Sequence, residues 1–340
     1  MTTSALASGT GTGPRLSKPV DLRFKADWGQ ANLTRIAGWI SQEIGDRAPE
    51  GSTFSIHAGR GGADAVAALE SGEVDIALAT PAPAVRLLRD GSGPSGRPPA
   101  PWLRALGSIA HRDRLVIAID AALPVDSLEG FADVASQLVI ATSQDDGVNA
   151  IGLAAHHGLR LAGAEPERLI AGGARFRYDE RPFPMVHAFA TGEANVLIQE
   201  AIMMPAWQRI ADRRPVRYLE WGAAALAGFA ELGWGSAVVE SGYLPSLDHD
   251  LLTLDFADFV LLCRDDLDPE IAYLATWCML KTRRAIEGQY AHLPQDRTPL
   301  GYPLDPARMR ETPVPLHDSA RRAYDDLTGE GPITDGLLWT

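Results

Sequence analysis

LESGEVDIAL at positions 69–78 and FATGEANVLI at positions 189–198 decide how the chain is read. Each runs from a helix end, through a glycine where a left-handed cap is needed, into an apolar strand. Any helix–glycine–strand unit looks like this, and two related copies also fit two lobes of similar build. Outward from the first copy, Val20, Leu22, Phe24 and Ala26 alternate with Asp21, Arg23 and Lys25, a period of two that predicts a strand. Leu33, Ile36, Ala37, Ile40 and Ile44 then mark one face of a helix that stops at Gly45. A strand over 54–57, a helix over 64–70 and a strand over 74–80 complete a βαβαβ order, which implies a parallel sheet with helices on its faces.

Around the second copy the same order is predicted: strand 138–142, helix 149–161, strand 169–171, helix 184–190 and strand 195–199. Between the copies, 90–101 is a loop rich in proline and glycine, and 103–119 crosses to the second lobe. Residues 216–221 read as the strand returning to the first lobe. A strand over 251–262 and a helix over 269–284 follow, then a loop-rich stretch over 289–315 and a short helix near 319–326. The expected division is a disordered leader over 1–18, a first lobe of 19–110 plus 222–340, and a second lobe of 111–221. The fold class is α/β, each lobe a mainly parallel sheet flanked by helices, with a ligand cleft between the lobes.

The 340 residues are 46% hydrophobic and 22% charged, proportions that support a buried core in both lobes. A net charge of −13 repels phosphate backbones and anionic lipid, so neither nucleic acid nor a membrane surface is an expected partner. Residues 1–18 carry no basic start followed by an apolar run, so a cytoplasmic location is expected. Cys263 and Cys278 both sit in apolar elements and read as buried thiols. No phosphate loop, complete GxGxxG or CxxC occurs, and no cofactor or metal is expected. His156 and His157 are adjacent on a helix and diverge, which makes a poor metal pair.

In open parallel sheets, ligands bind beyond the carboxyl ends of the strands. That rule selects the loops 27–32, 57–62, 80–82, 142–149 and 199–201. In the first, Asp27 is either an acceptor for a ligand or the cap of the next helix, Trp28 is an apolar wall for a planar ligand, and Asn32 lines the turn. In the second, Arg60 lies among glycines, with Gly61 beside it, and is either a bidentate grip for a carboxylate or a solvated loop arginine. His57 ends a strand at the same rim, where an imidazole serves as acid or base or simply hydrogen-bonds. Thr80, Thr142, Ser143 and Asn149 offer hydroxyls, amides and helix starts suited to an anion. Glu200 follows a strand and faces the cleft or a neighbouring loop. Arg175 and Arg177 alternate on one face, and are either surface charges or a second-lobe clamp. As catalytic candidates the residues are His57, Asp27 and Glu200.

Several segments, in order, carry a family likeness: 71–77 (SGEVDIA), 103–108 (LRALGS), 241–243 (SGY), 264–267 (RDDL), and 315–320 (PLHDSA) with Tyr324. Over roughly 20–326 the chain resembles the TAXI family of TRAP-transporter solute receptors. The resemblance implies a type II periplasmic-binding fold with two crossovers and a small organic acid or amino acid in the cleft, handed to a TRAP permease if the protein is exported. The first turn, which is glycine-rich with a tyrosine pair in that family, is here Asp27-Trp28-Gly29-Gln30-Ala31-Asn32. Cytosolic enzymes also use the fold, including decarboxylases of aromatic acids. Two functions are therefore carried forward: binding of a small organic carboxylate, and a decarboxylase or lyase with His57 as its acid/base.

Overall fold

The computed structural model describes residues 13–27, 32–202, 204–288, 290–294, 298, 300 and 303–329. The chain opens with β1 (Asp21–Lys25), α1 (Asn32–Gly45), β2 (Thr53–His57), α2 (Ala63–Glu70), β3 (Ile76–Ala79), α3 (Ala82–Asp90) and β4 (Leu103–Ile109). It crosses to the second lobe through β5 (Arg114–Asp120) and continues with β6 (Val139–Ser143), α4 (Ala150–Leu161), α5 (Pro166–Ala171), β7 (Arg175–Asp179), α6 (Pro182–Ala190) and β8 (Val196–Glu200). That lobe also takes in α7 (Met204–Ala211), β9 (Val216–Leu219), α8 (Ala223–Glu231), β10 (Ser236–Val239) and β11 (Leu251–Asp255). The chain returns through β12 (Phe259–Arg264) and ends in α9 (Pro269–Lys281), α10 (Arg283–Gly288), α11 (Pro306–Arg310) and α12 (Asp318–Gly329).

The first sheet runs β2-β1-β3-β12-β4, with β1 parallel to β2 and β3, and β12 antiparallel to β3. The second contains β7-β6-β8-β5, with β6 parallel to β7 and β8, and β5 antiparallel to β8. The two lobes thus share a four-strand core, and in each the antiparallel strand is the one that has just crossed over. The sequence echo occupies matching places in it. Gly72 and Gly192 both have positive φ, at 69° and 81°. Asp75 accepts from Arg23 N at 2.8 Å, and Asn195 Oδ1 accepts from Val139 N at 2.8 Å. Each side chain ties its strand to the neighbouring one.

Alternation along β5 shows why its sequence is apolar throughout. Leu115, Ile117 and Ile119 pack on one face with Trp221, Phe229 and Trp234, while Val116 and Ala118 pack on the other with Phe189 and Trp207. A sheet covered on both faces buries every residue of a central strand. Cys263 and Cys278 are free thiols in the first-lobe core.

Several boundaries differ from expectation. Residues 169–171 end helix α5, whose Pro166 sets the helical φ of the first turn, and the strand comes later as β7. β9 does not return to the first lobe: it pairs antiparallel with β5, Ile117 opposite Leu219. Residues 223–255 therefore stay with the second lobe, and the return crossing lies at 256–258. The apolar run 251–262 is two strands in different sheets, separated at Asp258, whose φ of 70° breaks the strand. Aspartate is among the few non-glycine residues that tolerate this conformation. Of the expected leader, 1–12 lies outside the described residues, but 13–18 is tied to the first lobe. Leu16 is buried and its N–H donates to Arg47 O, while Ser17 donates to Glu270.

Candidate functional site

Between the lobes lies a cleft of about 650 Å³, counting the space open to solvent. Its lining draws on the ends of β1, β2 and β3 in the first lobe, the starts of α4 and α6 and the end of β8 in the second, and both crossings.

Asp27, buried after β1, accepts from Leu33 N (3.1 Å), Thr34 N (3.2 Å) and Thr34 Oγ1 (2.6 Å). It is thus the cap of α1, and it also lines the cleft. Asn32 lines it too, its Oδ1 accepting from the Tyr290 hydroxyl. Arg60 Nη1 reaches over to the second lobe, 2.9 Å from Asp146 Oδ2 and 3.6 Å from Glu180 Oε1. Both carboxylates share that one nitrogen, and among the described residues Arg60 Nε and Nη2 have no acceptor. Beside it Gly61 and Gly62 have φ of 71° and 53°. A Cβ on Gly62 would lie 2.9 Å from Val148 O, the carbonyl that accepts from Ala63 N across the cleft. Only glycine fits so close an approach of the lobes at that backbone conformation. Asn149 caps α4, accepting from Ile151 N at 2.9 Å and Gly152 N at 3.3 Å.

An acidic corner forms where Glu200, at the end of β8, meets Asp113 in the first crossing. Asp113 Oδ1 accepts from Arg114 N (2.7 Å) and Ile202 N (3.0 Å). Burial, with the Glu200 charge adding to it, pushes the Asp113 carboxyl well above its usual range. Burial, then the Asp27 charge, lifts Glu200 to about 7, although its hydrogen bond with Asp113 opposes the shift. Two interacting buried acids titrate as a pair, in steps that belong to both. His111, next to this pair, is kept neutral chiefly by burial. Its Nδ1 accepts from Asp113 N at 3.1 Å, its Nε2 lies 3.4 Å from Thr80 Oγ1, and its ring packs on Phe259. The remaining wall is apolar: Leu33, Ile151, Phe183, Ile202, Phe256 and Phe259.

The structure thus brings Asp27, Asn32, Arg60, Gly61, Thr80, Asn149 and Glu200 to one cleft. Trp28 lies outside the described residues. His57 does not line the cleft. It sits on edge strand β2, with Nδ1 3.5 Å from Glu73 Oε1 and Nε2 3.3 Å from Ser55 Oγ. Thr142 and Ser143 are also absent from the lining. Both are buried within β6, and Thr142 Oγ1 donates to Ile198 O at 3.2 Å. Arg175 and Arg177 are exposed on edge strand β7, and Arg177 pairs with Glu193. Sequence reasoning missed Asp113, His111, Phe183, Phe256 and Phe259. Asp113, His111 and the two phenylalanines at 256 and 259 lie at the crossings, where the strand-end rule does not look.

The shared four-strand cores, the paired crossings and the cleft between them make a two-lobed α/β fold with the type II periplasmic-binding layout. No protein-family model matches the chain, and no curated protein matches it. Solved structures do. That of a periplasmic transporter aligns over 94% of this chain and 99% of its own, at 14% identity and a TM-score of 0.48. A Xanthomonas citri protein bound to ATP aligns over 91% and 99%, at 12% identity and a TM-score of 0.49. PhnD1 from Prochlorococcus marinus, in complex with methylphosphonate, aligns over 78% and 85%, at 11% identity and a TM-score of 0.49. The fold assignment rests on the sheet topology of this chain.

Proposed function

We propose that the protein reversibly binds a small organic solute through its carboxylate in the interlobe cleft. The observation that carries this reading is Arg60, which lines the cleft with Nε and Nη2 unbonded among the described residues. Those two donors form the guanidinium edge that meets a carboxylate with two parallel hydrogen bonds. Asp146 and Glu180 hold the arginine from its other edge, which fixes its direction and reduces the ordering cost on binding. The Gly61 and Gly62 N–H groups, which find no acceptor among the described residues, add donors at the same turn. The apolar wall suits a hydrocarbon body.

Native mass spectrometry of the purified protein identifies a co-purifying acid, and calorimetry then measures its affinity. Arg60→Ala is expected to weaken binding by about 10- to 150-fold, the worth of a charge-assisted contact. Unchanged affinity in Arg60→Ala would place the carboxylate elsewhere. An exported form would hand its solute to a TRAP-type permease, and cell fractionation tests where the protein resides.

A second reading rests on Glu200, whose carboxyl, lifted to about 7 beside the cleft, is matched to acid/base work near neutral pH. A decarboxylase or lyase would use Glu200 in place of His57. Its test is prolonged incubation of the co-purified acid with catalytic amounts of protein. Quantitative recovery of the acid would remove this reading for that compound.

A further inference from the structure

We infer that the outer edge of β7 pairs antiparallel with β7 of a second copy, about a two-fold axis at Arg177, so that one sheet runs through a dimer. None of the residues Arg175 to Asp179 lines the interlobe cleft, so this surface is separate from the solute site.

β7 ends the second sheet, and no strand among the described residues covers its outer edge. Arg175 N donates toward β6, to Leu138 O at 2.9 Å. Alternate residues of a strand face the same neighbour, so Phe176 and Tyr178 present their backbone N–H and C=O outward. Natural proteins blunt such edges with proline, lysine or a bulge. β7 reads RFRYD and pairs with β6 in unbroken register, so it has none of the three.

The strand is also complementary to itself. With the axis at Arg177, Phe176 of one copy lies opposite Tyr178 of the other, and these are the residues whose backbone groups are free to exchange hydrogen bonds. The same register sets Arg175 opposite Asp179 at both ends, a cross-strand pair of opposite charge. Arg175 is exposed, and its guanidinium has no partner among the described residues. Asp179 accepts from Arg181 N with one oxygen, at 2.8 Å. Arg177 meets its own copy on the axis, where its charge is already answered by Glu193 within each chain. On the other face Phe176 and Tyr178 stack with centroids 5.7 Å apart, and Tyr178 is 39% exposed. Pairing joins these rings from both copies into one aromatic strip. A net charge of −13 makes two copies repel each other, so they meet where the surface is not acidic. β7, with two arginines and one aspartate, is such a place.

Sedimentation of the full-length protein across the micromolar range is expected to show a monomer–dimer equilibrium. Arg175→Asp sets carboxylates opposite each other at both ends and should weaken the dimer about ten-fold or more. The charge-swapped double variant, Arg175→Asp with Asp179→Arg, should return to within about three-fold of wild type. Tyr178→Pro removes an outward N–H while leaving the bonds to β6 in place, and should give a monomer whose fold circular dichroism confirms. A wild type that stays monomeric throughout would overturn the dimer. A dimer unweakened by Tyr178→Pro or by Arg175→Asp would overturn β7 as its edge. A defect in Arg175→Asp that the double variant does not repair would overturn the register.

Discussion

Gly152→Ala is expected to destabilise the protein by about 3 kcal/mol, at the upper end of what overpacking costs. A Cβ at this position would lie 2.0 Å from Gln144 O, 2.5 Å from Gln144 C and 2.7 Å from Ser143 O. All three are backbone atoms, so no side chain can turn aside to make room. The loop cannot withdraw cheaply either. Asp146 Oδ1 accepts from Val148 N and Asn149 N, both at 2.9 Å, and Asn149 in turn caps the helix that contains Gly152. Gly147, with φ of 72°, turns the chain between them. Moving the loop would carry away Asp146, the residue that orients Arg60, so binding should fall together with stability. Urea denaturation measures the first and calorimetry the second. Gly235→Ala is the control: a Cβ there meets nothing within 4 Å, and its effect should stay within about 0.5 kcal/mol. Equal midpoints for the two variants would show that the contact over α4 yields more easily than its geometry implies.

Gly152 was invisible in the sequence because its neighbour comes from a loop folded back over the helix, which no periodicity encodes. The elements themselves were legible wherever one face is buried. The five positions that mark one apolar face of α1, from Leu33 to Ile44, are its five buried residues. Partner strands were not legible. The apolar residues of β9 suit either sheet, and only the pairing of Leu219 with Ile117 assigns them to the second. The run 251–262 is apolar on both sides of its break, so the crossing left no mark beyond Ala257-Asp258. The site divides in the same way. Loops after parallel strands follow a general rule, and they led to Asp27, Arg60, Thr80 and Glu200. Asp113 precedes a strand, and its importance depends on Glu200 arriving from 87 positions later in the chain. His57 was read correctly as a strand end, but an edge strand lets its ring turn to Glu73 and away from the cleft.

Between about pH 4.5 and 7 the unliganded wild type is expected to lose stability relative to Glu200→Gln, and at pH 8 the variant should be the more stable by up to about 3 kcal/mol. The sign follows from where the proton is held. The native state raises Glu200 from 4.5 to about 7, so across that window the native state holds a proton that the unfolded chain has released. Stability falls with rising pH wherever the native state binds more protons, so this contribution is complete below pH 4.5 and is lost as pH passes 7. Glutamine resembles the protonated acid in shape but cannot ionise, so the variant escapes the loss. Asp113, raised mainly by burial, behaves in the same direction, and part of its shift comes from the Glu200 charge that the variant removes. His111 tilts the opposite way: burial lowers its pKa, so it favours the native state as pH rises through 6.5. The raw pH curve mixes these groups, and the difference between the two proteins isolates Glu200 together with the part of the Asp113 shift that its charge causes. Urea denaturation at pH 5, 6, 7 and 8 supplies that difference. It should be near zero at pH 5 and grow with each step. Parallel curves would mean that Glu200 is solvated in the empty cleft and titrates there much as it does in the unfolded chain.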